Sequence, residues 1–342
     1  MEGIRSFRHN KPWLVSYRHL AFKFEDAMNR ITPDTFDFVG SKNRTMLSKA
    51  FLLFLLYKDC FLGTEDFRGQ VEKFIAKYKF MTTNSDSAVD ILTSESTYQK
   101  KYFDSWANNR GQPVVIAELV RGELNKDIVT LRQAHFITKS ALINATWVIP
   151  VQPQWIFMNG TRKAQERQLL IGKLNAEKRI GPLEAAGLLL FPDMASPVRT
   201  LYNAQLWSRL FALLDSPLFE SVPTINRASI QQDLGAFLRN EDVGLTLYIA
   251  GIRYMWRETS RAVWRAFAKE YREIHKMAAK LQLAQLDMLV YNITSWHQPL
   301  NDSDIMFEHR TQPFVHEVQC LAAGIKNCPE NDNELDEWDF VV

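Results

Sequence analysis

Cysteine is scarce in this chain, with three residues (Cys60, Cys320 and Cys328) among 342. So sparse and odd a set builds no disulfide framework and suits a reducing compartment. Long apolar runs are missing too. The most apolar stretch, Ala50 to Tyr57, falls far short of the roughly 20 residues that a membrane-spanning helix needs. A buried helix is expected there, and no membrane partner. Residues 1–11 carry Arg and His without an apolar segment, so no secretory signal is expected. The N-x-S/T sequons at Asn43, Asn144, Asn159, Asn292 and Asn301 are then read as chance. The chain has no G-x-S-x-G, G-x-G-x-x-G or C-x-x-C. Gly172-Lys173 lacks both the earlier glycine and the following Ser/Thr of a phosphate-cradling loop. These gaps give an expectation of no cofactor and of a structural rather than catalytic protein. They leave open an enzyme whose site assembles from distant residues.

What is present is ordinary for a folded chain: 46% hydrophobic and 23% charged residues, enough length for two domains or one large one. Nine Trp and 22 Phe hint at large contact surfaces. The net charge of +2 conceals an uneven distribution. Pro329 to Val342 hold six acids and no base, so all 41 Lys and Arg lie in the rest of the chain. A basic body with an acidic tail recurs in proteins that bind polyanions.

Along the chain, the first 40 residues mix basic and aromatic side chains. Ser41 suits the start of a helix running to about Phe61 and closed by Gly63. Phe67, Val71, Phe74, Ile75 and Tyr78 keep helical spacing after Thr64. A further helix is expected over Thr97 to Asn108. Val114-Val115-Ile116 and Trp147 to Val151 have β character. Beyond them, helices are expected near 161–180, 182–190, 198–215, 226–239, 245–294 and 304–326. The class is mainly α, either two-lobed or one large helical domain, with a small extended segment in the middle. The expected division is 1–150, 151–328 and an acidic tail, 329–342.

Residues Leu245 to Thr294 contain no proline and one glycine, Gly251. At about 100° per residue, Trp256, Val263, Phe267, Ile274, Met277, Leu281 and Met288 share one arc of about 90°. That arc predicts a core-facing stripe. Opposite it, Arg253, Arg257, Arg261, Arg265 and Lys269 recur every four residues, and Arg272, Lys276 and Lys280 continue the face. Like charges at this spacing repel by a few tenths of a kcal/mol per pair, and phosphates would offset that cost. Trp264 and Tyr271 stand at the edge of the face, where a base could stack. The alternative is a solvated face, or pairing with acids such as Asp233, Glu241 and Asp242. A second cluster comprises Arg162, Lys163, Arg167, Lys173, Lys178 and Arg179.

Two other features carry chemistry. His316-Glu317-Val318-Gln319-Cys320 resembles the zinc-protease pattern H-E-x-x-H with its second histidine replaced by cysteine, and a buried cysteine with surface histidines is the favoured reading. In the acidic tail, Trp338 and Phe340 would anchor a docking peptide while the acids meet a basic groove. The alternative is a solubilising end.

In length, helical character, aromatic content, Pro-studded middle and basic helix faces, the chain resembles coat and nucleocapsid proteins of small RNA viruses, nearest the helical coat proteins of the partitivirus kind. The resemblance covers the whole chain without a diagnostic motif. It implies a self-assembling protein that packages RNA through sequence-independent phosphate contacts, in the cytoplasm or a virion. The two competing readings are a monomeric interaction module or effector, and an enzyme with an unrecognised helical site.

Overall fold

The computed structural model describes Val15, Arg18 and residues 41–94, 96–109, 111–121, 127–136, 146–171, 178–180, 185–194, 196–281, 284–295 and 305–324. The protein is mainly α, with its strands gathered in the middle of the chain. Helix α1 (Ser41–Tyr57) runs into a π-helical turn, Lys58–Leu62, that stops at Gly63, whose φ of 86° is left-handed backbone. Helices α2 (Thr64–Tyr78), α3 (Ser85–Leu92) and α4 (Thr97–Asn108) follow. The Asn84 and Ser96 side chains cap the last two by accepting the backbone N–H of Ser87 and Gln99, which satisfies amides that have no partner within the helix.

The strands are β1 (Pro113–Arg121), β2 (Asp127–His135), β3 (Ile149–Val151), β4 (Gln154–Ile156), β5 (Arg162–Ala164), β6 (Gln168–Leu170), β7 (Lys178–Ile180), β8 (Gly187–Leu189) and β9 (Arg199–Tyr202). The largest sheet has the order β7-β2-β1-β9, antiparallel except where β9 runs parallel to β1. Pairs β3-β6 and β5-β4-β8 form two smaller sheets. Strands β1 and β3 stand where β character is expected. The helices expected near 161–180 and 182–190 are not formed among the described residues there. Strands of three or four residues are too short to show a period of two, and what holds them is pairing with partners far along the chain.

Helices α5 (Ala204–Leu214), α6 (Thr224–Arg239), α7 (Leu245–Ile252), α8 (Arg261–Leu281), α9 (Ala284–Ser295) and α10 (Ile305–Ala322) complete the fold. Asn203 joins the two parts: its side-chain oxygen caps α5 at Leu206, and its amide donates to the Leu119 carbonyl in β1. One hydrophobic cluster runs from Leu52 and Trp106 through Val115, Trp155 and Trp207 to Trp264 and Val318.

The expected uninterrupted helix over 245–294 is broken twice. After α7 comes a 3-10 turn, Arg253–Arg257, and then an extended Glu258. The Glu258 carboxylate accepts the Ser260 N–H at 2.9 Å, a helix-start arrangement that the stretch Glu258-Thr259-Ser260 spells in sequence. The second break falls between Leu281 and Ala284.

Candidate functional site

Helix α6 is buried along nearly its whole length, from Ile225 to Phe237. Burying a helix on all sides requires its charges to be paired, and they are. Arg227 forks onto Glu258, with Nε at 2.6 Å and Nη2 at 3.0 Å. Burial by itself would lower the Arg227 pKa, but the hydrogen-bonded Glu258 carboxylate outweighs it and holds the guanidinium above its ordinary value. Asp233 receives Arg18 at 2.8 Å and Arg199 at 3.0 Å on one oxygen, and the Thr200 N–H on the other. Arg239 binds Glu270 of α8. These pairs tie Arg18, β9, α6 and α8 together. A cavity of about 30 Å³ lies beside Arg18, Ser229 and Asp233, room for one water molecule.

The same accounting dissolves much of the expected basic face. Arg265 is 6% exposed, and Trp264 and Tyr271 are fully buried rather than edging a surface. Arg272 binds Glu317 of α10. Arg261 lies over the Phe314 ring of α10, and neither Arg265 nor Lys269 lacks a partner. The reason is geometric. Helix α8 is packed by α6 on one side and α10 on another, so residues on opposite arcs are both covered. The predicted core stripe is corrected likewise. Val263, Phe267 and Ile274 are buried, whereas Trp256, Met277 and Met288 are exposed.

Arg257 donates to the Ser216 carbonyl at 2.6 Å and stacks on Trp256 and Phe219. Arg253, in the 3-10 turn, meets Asp215 at 3.2 Å in solvent, and Lys276 meets Glu273 at 2.9 Å. In the second cluster Arg162 pairs with Asp193, Lys163 is exposed on β5, and Arg167 donates to the Asp59 carbonyl beside Cys60. Burial, the largest influence, pushes the Cys60 thiol up to about 11 even though Arg167 opposes it. Lys173, Trp338 and Phe340 lie outside the described residues.

The H-E-x-x-C segment is on α10, but its glutamate and cysteine are engaged elsewhere. Glu317 is buried against Arg272, and Cys320 is in a disulfide. A half-cystine thus stands at 320 where a plain buried cysteine was expected. Among the described residues, no three His, Cys, Asp or Glu side chains are grouped to hold a metal.

A different constellation stands at the junction of α8 and α9. Tyr271 and His275, one turn apart on α8, converge on one carboxylate oxygen of Asp287 in α9. The Tyr271 hydroxyl donates to it at 2.6 Å, and His275 Nδ1 lies 3.1 Å from it. An ionised carboxylate only accepts hydrogen bonds, so Nδ1 carries the proton that faces it. Burial first, then the Asp287 carboxylate, push the ionisation of Tyr271 far up, so the phenol remains a donor. The His275 and Asp287 side chains are 22% and 20% exposed, so the pair is partly buried while Tyr271 beneath it is fully buried. Sequence reasoning missed it because His275 and Asp287 lie on either side of an unrecognised helix break. The one local signal was the four-residue spacing of Tyr271 and His275.

No protein-family model matches the chain. Aminopeptidase Ey of Gallus gallus is 26% identical over 164 residues, which cover 48% of this chain and 16% of that protein. Aminopeptidase N of Lactococcus lactis subsp. lactis (strain IL1403) is 25% identical over 237 residues, covering 61% of this chain and 27% of the relative. Its counterpart from subsp. cremoris (strain MG1363) is 24% identical over the same length. These relatives are aminopeptidases. The chain spans about a quarter or less of their length.

The comparisons overturn the expected viral coat protein that packages RNA and the preference for a structural over a catalytic protein. The coat-protein resemblance rested on length, helicity and basic faces. Those properties are shared by many helical proteins, and most of the basic face is internally partnered.

Proposed function

We propose that this protein has a peptidase-related function and acts on peptides that carry a free amino terminus. The observation that carries the reading is the recurrent similarity to aminopeptidases, at 24% to 26% identity over as much as 61% of the chain.

The test uses the full chain and a panel of aminoacyl p-nitroanilides, each supplied with a free and with a blocked amino group. The panel is run with and without added zinc and with a chelator. Release of p-nitroaniline from the free-amine substrates in preference to the blocked ones is the expected result. No release from any free-amine substrate in any of the three conditions would overturn the proposal.

A further inference from the structure

We propose that the tip of the α2–α3 pair is a docking surface and that its occupant is the chain's own acidic tail, residues 329–342. The first observation is steric. Tyr78 to Met81 form a type II turn: Lys79 has φ −55° and ψ 130°, Phe80 has φ 64°, and the Met81 N–H donates to the Tyr78 carbonyl at 2.9 Å. The third position of such a turn favours glycine, because left-handed backbone crowds a Cβ. Here it holds a phenylalanine that is fully exposed. Neither the crowded backbone nor the solvated ring helps the turn itself, so the residue points to a role outside it.

Its neighbours extend the patch. Ile75 is 58% exposed and Met81 is 59% exposed. The Lys79 N–H donates to the Ile75 carbonyl at 2.9 Å, which keeps Ile75 close to the turn. No residue of α2 is buried, although α2 packs against α3. Apolar side chains gathered in this way on a surface mark an interaction site.

Charge selects the occupant. Glu72 binds Arg68, and Asp90 binds Lys100. Lys73, Lys77 and Lys79 are exposed, and among the described residues none of the three meets a carboxylate. Residues 329–342 lie outside the described part of the structure, and they hold six acids and no base. In an extended chain alternate side chains share a face. One face of this segment therefore carries Glu330, Asp332, Glu334 and Asp336, followed by Trp338, Phe340 and Val342. Such a face complements a surface on which lysines flank exposed apolar groups: the acids meet ammonium groups, and the rings cover Ile75, Phe80 and Met81. Length permits the contact. Trp338 lies ten residues beyond Cys328, so even with the chain held at that cysteine it reaches about 33 Å. A compact chain of this size has a radius of gyration of about 20 Å.

The experiment uses the full chain with p-benzoylphenylalanine in place of Phe80. Irradiation should join position 80 to the peptide that contains residues 329–342, within one chain, as mass spectrometry of the monomer band reads. Lys73→Glu, Lys77→Glu and Lys79→Glu together should lower the yield about tenfold or more. Adding Asp332→Lys, Glu334→Lys and Asp336→Lys to the same chain should restore it, which a contact without charge pairing would not do. For the event that the photoreactive chain does not fold, carbodiimide coupling of the wild-type chain tests the same contact. It should form amides between these lysines and the tail carboxylates. Coupling of position 80 to the tail of a second chain, seen as a crosslinked dimer, overturns the choice of occupant, and so does coupling to any other segment. The absence of a tail crosslink by both routes overturns the docking surface. None of these readouts involves peptide hydrolysis, so the outcome is independent of the peptidase reading.

Discussion

Lys49 shows at the scale of one residue how burial becomes a measurable pH dependence. Its ammonium is buried under the Trp106 ring and donates to the Gly111 carbonyl at 2.8 Å, with no carboxylate among the groups that shift it. Desolvation lowers its pKa from 10.5 to about 8. Below pH 8 both folded and unfolded chains hold the proton, and the folded state bears the desolvation cost. Above pH 10.5 both are neutral. Between those limits the unfolded chain binds more protons, so this group makes stability rise with pH, by about 3 kcal/mol in all. Urea unfolding of wild type and Lys49→Met at pH 8, 9 and 10 should show a shallower rise in the variant. Equal slopes would refute the assignment.

Gly235 makes a steric prediction at the same scale. A Cβ there would stand 2.7 Å from the Glu270 Cβ and 2.8 Å from its Oε2, so α6 and α8 approach closely only because position 235 has no side chain. Gly235→Ala should cost about 1–3 kcal/mol by overpacking and loosen the Arg239–Glu270 pair. A denaturation midpoint equal to that of the wild type would show that the helices can give way. Neither effect is legible in sequence, where Gly235 is one glycine in an otherwise ordinary helical stretch.

Among the elements, α8 is the most instructive. Its composition and spacing identify it as a helix with a strong basic periodicity, and its existence was legible. Its environment was not. Periodicity reports how residues are distributed around an axis but not how many neighbours the helix has, and α8 has them on two sides. Mutations should sort accordingly. Arg265→Glu places a carboxylate in a buried site and should destabilise by about 3–5 kcal/mol. Arg253→Glu breaks a solvent-exposed contact with Asp215 and should change stability by less than about 1 kcal/mol. Thermal unfolding of the two single variants separates the cases, and equal losses would mean that Arg265 is not covered. Helix α6 carries the complementary lesson. Asn226, Arg227, Gln231, Gln232 and Asp233 are spread around the helix axis, and polar residues so placed would ordinarily meet water, yet all are buried. They are tolerated because Arg18, Arg199, Glu258 and backbone carbonyls supply partners for all of these side chains, Gln231 through its amide N–H alone.

For the whole molecule, the continuity of the core has a consequence for cooperativity. The hydrophobic cluster joins α1 and α4 to the strands and on to α10, and Trp106, Trp147, Trp155, Trp207 and Trp264 are fully buried within it. Tryptophan fluorescence and far-UV circular dichroism should therefore follow one coincident unfolding transition. Two separated transitions would show that the lobes expected at 1–150 and 151–328 melt independently.

The helical class, the helices over Ser41–Tyr57, Thr64–Tyr78 and Thr97–Asn108, the helix expected over 226–239 and the extended start at Val114 follow from local signals: caps, a closing glycine, and spacing at 3.6 or 2 residues. These signals act within a turn or two of the chain, so the sequence by itself determines them. The short strands between Gln154 and Tyr202, the pairing of Asp233 with two arginines and the meeting of Tyr271, His275 and Asp287 were decided only by the tertiary structure. Each depends on groups brought together from separate elements, and a buried charge or a three-residue strand is stable only where such a partner arrives.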